Sequence, residues 1–131
     1  MSTVSIRITT PTRQQLEQTL RRAFQAGDLA INFQSHQVTL GGQPVQLTPV
    51  EYKLLYHLVR NAGHLMPHQA LLDRVWGSEY DAGPEYLKVF ISRLRAKLRT
   101  PRGLEYIETE RGRGYRFVRP RDVAGQDRLA S

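Results

Sequence analysis

At 131 residues the chain has room for one compact domain and a short appendage, too little for a second independent core. It has no cysteine, which excludes a disulfide framework and a thiolate metal site; it also lacks an apolar run of about 18 residues and a signal-like leader, so a soluble cytoplasmic protein is expected. The net charge of +7 is concentrated, because residues 84–121 hold eleven Lys or Arg against four Glu while residues 28–83 hold three against five, the footprint of a polyanion-binding face.

The opening is β-prone and broken at Pro11. Thr12 and Gln15 resemble a capping box, and Leu16, Leu20, Ala23 and Phe24 recur at helical spacing, which predicts an amphipathic helix over residues 13–25 ended by Gly27. Residues 1–27 are therefore read as an extension or linker, 28–120 as the main domain and 121–131 as a tail. From Leu29 to Leu47 the short alternating segments LAINF, QVTL and QPVQL, with a turn at Gly41 and Gly42, predict a small antiparallel sheet.

Thr48 then starts a helix, with Pro49 at its first position and Glu51 completing a capping box. Its core stripe is Tyr52, Leu55, Tyr56, Leu58 and Val59, and residues 61–63 stop it. A second helix runs from about Pro67 to Trp76, followed by an acidic loop at 77–83. Residues 84–99 carry Leu87, Ile91, Leu94 and Leu98 four, three and four apart, which stacks them on one buried helix face. Glu85, Val89, Ser92, Arg93 and Ala96 point the opposite way, with Lys88, Arg95 and Arg99 on one flank and Lys97 on the other. That surface suits a helix laid in a major groove.

The last element is a hairpin, YIETERGRGYRFVR at 106–119, whose turn is Arg111, Gly112, Arg113 and Gly114. Glycine allows positive φ and close backbone approach, and each arginine offers planar donors to phosphate or a guanine edge; a solvated hairpin tip is the competing reading. The order sheet, helix, helix, loop, helix, hairpin is an α+β arrangement of the winged helix-turn-helix kind, with an N-terminal antiparallel sheet, a three-helix core and a C-terminal β-hairpin wing.

Four separated motifs, LTPVEYKLL at 47–55, NAGHLMPHQALLDRVWG at 61–77, YLKVFISRLRAKL at 86–98 and YIETERGRGYRF at 106–117, resemble the OmpR/PhoB-type winged-helix effector domain of two-component response regulators. The likeness covers about residues 28–120, and Tyr86 and Leu87 open the third helix in the manner of the KdpE-like type. The resemblance implies sequence-specific binding of direct-repeat double-stranded DNA in transcription regulation. On that analogy Val89, Ser92 and Arg93 meet base edges, with Val89 on a thymine methyl and Arg93 reaching guanine or a phosphate, while Lys88, Arg95 and Lys97 serve at the flanks of the recognition helix. For Lys88 and Arg95 phosphate contact competes with a salt bridge or internal pairing. Thr109, Arg111 and Arg113 match wing positions that contact the backbone or minor groove, and the loop holding Ser78, Glu79, Tyr80 and Asp81 matches a segment that engages RNA polymerase.

Three departures from the family pattern stand out. Glu85 occupies the start of the recognition helix where a basic residue is often found; it stabilises the helix N-terminus but repels phosphate. Ser92 replaces a commonly larger, basic residue. Nothing in these residues supplies the clustered acids and distant lysine of a phospho-acceptor site, so a receiver or sensor domain outside this chain is the further partner implied.

Other chemistry finds little support. His64 and His68 are four apart, but Pro67 intervenes and starts the helix, so no metal site is expected; His57 is read as a helix-surface residue. The Gly112 and Gly114 pair precedes a strand, not a helix, which argues against a dinucleotide cradle, and no Ser-His-Asp order has a convincing context; neither an enzyme nor a cofactor is expected. The rival readings are a winged helix that docks an acidic protein partner and a sequence-independent architectural DNA binder.

Overall fold

The computed structural model describes residue 12 and residues 23–77, 83–100 and 103–120. Among them, four strands form an antiparallel sheet in the order of the chain: β1 (Ala23–Ala26), β2 (Leu29–Asn32), β3 (Gln37–Leu40) and β4 (Gln43–Pro44). Alternation sends Leu29, Ile31 and Val38 into the core and leaves Asn32 and Gln37 outside. Residues 23–25, expected as the last turn of a helix, are instead the start of β1, with Phe24 opposite Ile31. Cross-strand pairing to β2 outweighs their helical spacing, and it carries the sheet ahead of the boundary expected at residue 28. The rest of that expected helix lies outside the described residues.

The first helix, α1 (Pro49–Arg60), begins as its sequence requires. The Glu51 amide donates to Thr48 Oγ1 at 3.2 Å, and the Thr48 amide donates to Glu51 Oε1 at 2.9 Å, a complete capping box. Tyr52, Leu55, Leu58 and Val59 are buried as expected, and Leu54 joins them; Tyr56 is half-buried, with its ring edge-on to Phe33. His57 is also half-buried rather than a surface residue. Burial, followed by the nearby Arg74, Lys53 and Arg60 charges, holds its imidazole below the usual histidine range.

A three-residue strand, β5 (Leu65–Pro67), leads directly into α2 (His68–Trp76), which buries Leu71, Leu72 and Val75. The helix α3 (Pro84–Lys97) follows, and β6 (Ile107–Glu110) and β7 (Gly114–Phe117) form the hairpin. β7 is central in a second sheet, ordered β5-β7-β6, so the wing is fastened to the helix-turn-helix through backbone hydrogen bonds. The three helices, the inner face of the first sheet and β7 share one core, with Phe117, Leu54, Leu71 and Leu87 among its fully buried side chains.

Contacts across the ends of the fold hold the first sheet in place. Tyr106 Oη accepts the Asp28 amide at 3.0 Å, Arg119 Nη1 donates to the Gln25 carbonyl at 2.8 Å, and the Phe24 and Phe117 rings meet edge-on at 5.5 Å. Tyr106→Phe keeps the ring and deletes the acceptor, so it should cost about 1 kcal/mol in urea unfolding and speed exchange of the Asp28 amide. Unchanged stability together with unchanged protection at Asp28 would show that this bond does not anchor the sheet.

Candidate nucleic-acid interface

The buried face of α3 is Leu87, Ile91 and Leu94, continued by Leu98 just beyond its end, and all four are at most 2% exposed. At about 100° per residue, Glu85, Val89, Ser92, Arg93 and Ala96 lie within roughly 50° of the opposite direction. All five are exposed, and Val89, at 46%, is an apolar side chain left open to solvent. Lys88 and Arg99 are exposed on one flank. The Arg93 guanidinium rests over the Phe90 ring at 5.1 Å, and Phe90 packs edge-on against Trp76 at 5.2 Å. Arg93 makes no ion pair among the described residues, so this support restricts the arginine while leaving its donors available, a geometry favourable for presenting the fork.

Three of the expected contact residues, Arg95, Thr109 and Lys97, are engaged within the protein. Arg95 Nη2 donates to the Ile107 carbonyl at 2.8 Å and to Thr109 Oγ1 at 2.7 Å, and its guanidinium lies 5.7 Å from the Tyr115 ring centroid. Arg95 is thus paired internally and ties α3 to β6, with the Thr109 hydroxyl as one of its acceptors. Lys97 Nζ sits 2.6 Å from Glu51 Oε1, so this ammonium joins the end of α3 to the start of α1. No sequence signal links these two residues, 46 positions apart.

The wing places Arg111 and Arg113 at its exposed tip, where neither makes an ion pair among the described residues. The turn is closed by the Arg113 amide donating to the Glu110 carbonyl at 2.8 Å, with Gly112 at φ 75°. The acids of the wing are answered by Arg116, whose Nη1 lies 3.3 Å from Glu110 and 3.7 Å from Glu108. Sequence reading does not single out that arginine; strand register sets it directly opposite Glu108, with Glu110 on the diagonal across from Gly114. Burial pushes the Tyr115 phenol up, Arg95 counters it and Glu85 adds to it, so this tyrosine beneath α3 stays protonated.

The loop residues Ser78, Glu79, Tyr80 and Asp81 lie outside the described residues. His64 is exposed before β5 while His68 opens α2 against the Tyr115 ring, so the two do not share a helix face. No group of three His, Asp or Glu able to hold a metal occurs among the described residues, and no helix among them is long and apolar enough to cross a membrane.

Comparison with known proteins gives this surface its setting. The family described as "Transcriptional regulatory protein, C terminal" matches residues 42–117. The sensory transduction protein RegX3 of Mycolicibacterium smegmatis is 36% identical over 95 residues, which cover 72% of this chain and 42% of that protein. The KDP operon transcriptional regulatory protein KdpE of Escherichia coli is 35% identical over 92 residues, covering 70% and 41%. The chain thus spans about two fifths of the length of these curated relatives. The DNA-binding domain of Klebsiella pneumoniae RstA, solved in complex with the RstA box, is similar with a TM-score of 0.65 and 37% identity, over 74% of this chain and 97% of that one. With its two antiparallel sheets, three-helix core and hairpin wing, the chain belongs to the transcriptional-regulator C-terminal family, the winged-helix effector domains of OmpR/PhoB type.

Proposed function

We propose that the chain binds double-stranded DNA sequence-specifically, as the effector domain of a cytoplasmic transcriptional regulator of the response-regulator type, without catalysis of its own. The observation that carries this reading is the division of α3: an exposed outward line available for base edges and an adjoining exposed basic flank, with two arginines at the wing tip that make no ion pair among the described residues. In this arrangement Val89, Ser92 and Arg93 read bases, and Val89 offers a methyl contact to thymine. Lys88, Arg111 and Arg113 bind phosphate, whereas Arg95, Thr109 and Lys97 hold the recognition helix in place. A receiver or sensor domain outside these residues supplies the input, and the loop at 78–81 engages RNA polymerase.

Selection from random duplexes at about physiological salt tests the reading. Enrichment of two short direct repeats about one helical turn apart is expected. Retention without enrichment would make the chain architectural, and no retention would favour a protein-docking module. Arg93→Ala should lower discrimination between specific and random duplexes. Arg111→Ala should weaken both alike and reduce the salt slope by about one unit, as loss of one phosphate contact requires. Equal losses on both duplexes for both variants would defeat that division of labour.

A further inference from the structure

On the basic end of the molecule, most acids near the interface are answered by a cation: Glu51 by Lys97, and Glu108 and Glu110 by Arg116. Glu85 differs. It is exposed in the first turn of α3 and makes no ion pair or hydrogen bond among the described residues, even with Lys88 one turn along. By helical phase it lies about 30° from the outward direction, on the line of Val89, Ser92 and Ala96, whereas Lys88 and Arg99 stand to one side. Phosphates line the walls of a major groove and base edges its floor, so a side chain on the central line at the helix N-terminus points at bases.

An ionised carboxylate only accepts hydrogen bonds. On the floor of the major groove, guanine presents two acceptors and thymine an acceptor and a methyl, all unfavourable to it. Adenine offers an amino donor with the N7 acceptor alongside. Cytosine offers its N4 amino group with no acceptor of its own on that edge. A free negative charge entering a polyanion also weakens binding unless a donor meets it, so its tolerance is selective by construction.

We propose, resting on the DNA-binding reading above, that Glu85 is a specificity-determining residue that selects cytosine at the base step met by the N-terminal turn of α3. It acts by accepting from cytosine N4 and by repelling guanine and thymine edges. The same carboxylate lowers affinity for random duplexes, which sharpens the ratio of specific to non-specific binding.

The test is a random-duplex selection with the full chain as wild type, Glu85→Gln and Glu85→Ala, followed by binding titrations on the enriched site and on the site with that cytosine exchanged. Circular dichroism checks that each variant is folded. Wild type should enrich one cytosine per half-site and lose about tenfold in affinity when it is replaced by thymine. Glu85→Gln, whose amide can donate to N7 and accept from N6 of adenine, should shift that position toward adenine. Glu85→Ala should abolish the preference there, keep the preferences elsewhere and bind random duplexes more tightly. If wild type enriches a site but both variants keep every base preference, the inference falls and the DNA-binding reading stands. If Glu85→Ala merely raises affinity for all duplexes by one factor, the carboxylate is only a repulsive charge and the inference falls likewise. Absence of enrichment with wild type would remove the DNA-binding reading and the inference with it.

Discussion

Replacing Gly114 by alanine should destabilise the domain by about 3 kcal/mol and loosen the wing, although the change adds a single methyl group. A Cβ at Gly114 would overlap the Met66 carbonyl oxygen and stand 2.8 Å from Pro67 Cα and 2.9 Å from the Met66 carbonyl carbon. These are backbone atoms of β5, which cannot rotate aside as a flexible side chain would. Relief requires β7 to part from β5, where Gly114 pairs with Pro67. Because α2 begins at the next residue, and the His68 amide donates to the Arg113 carbonyl at 3.2 Å, the displacement reaches both the helix-turn-helix and the wing tip. Gly112→Ala is the control. Its φ of 75° disfavours a side chain, but nothing lies within 4 Å of the added methyl, so a cost of about 1 kcal/mol is expected with the β5 pairing intact. Chemical denaturation of both variants, with hydrogen exchange across the β5–β7 pair, makes the comparison. Equal costs for the two glycines, or full protection of that pair in Gly114→Ala, would rule out the steric argument.

The contrast between the two glycines also shows what was legible in the sequence. Gly112 acts through its own backbone, a local property that a turn motif displays. Gly114 acts through a strand 47 residues earlier in the chain, and three residues ending in proline carry too little pattern to declare themselves a strand. The same division runs through the interface. The stripe Leu87, Ile91, Leu94 and Leu98 has helical period, so the buried face of α3 and hence its outward face follow from spacing alone. The destinations of Arg95 and Lys97 do not, because Ile107, Thr109 and Glu51 reach them only when the fold is closed. Basic residues on a helix flank read alike in sequence whether they meet phosphate or protein. At the N-terminus a local pattern is overridden: Ala23 and Phe24 fit a helical spacing, yet the pairing of β1 with β2 decides their conformation.

Glu51→Ala should cost about 3 kcal/mol, and Glu51→Gln about 1–2 kcal/mol, with the loss extending from stability to placement of the recognition helix. The Glu51 side chain is 4% exposed and makes two contacts through one oxygen: it accepts the Thr48 amide at 2.9 Å and meets Lys97 Nζ at 2.6 Å. Alanine deletes this acceptor with both of its bonds and leaves a cavity beside the capping position. Glutamine can still accept the amide but removes the charge opposite Lys97, whose side chain is 36% exposed and so recovers some hydration. Burial raises the Glu51 pKa, but the hydrogen bonds from Lys97 and Thr48 and the Lys97 charge outweigh it, and the net shift is downward. A carboxyl whose folded pKa is lowered stabilises the fold fully above its unfolded pKa and loses that contribution as pH falls through the folded value. The stability gap between wild type and Glu51→Gln should therefore be constant near neutrality and close in acid, below the ordinary glutamate range. A double-mutant cycle with Lys97→Met should return a coupling of about 1–2 kcal/mol at neutral pH that fades over the same acid range. Parallel stability curves down to the acid limit, or a coupling near zero at neutral pH, would mean that the pair does not bind α3 to α1. In that case Lys97 returns to the set of side chains available to phosphate, and Lys97→Met should lower the salt slope of DNA binding instead of the stability of the fold.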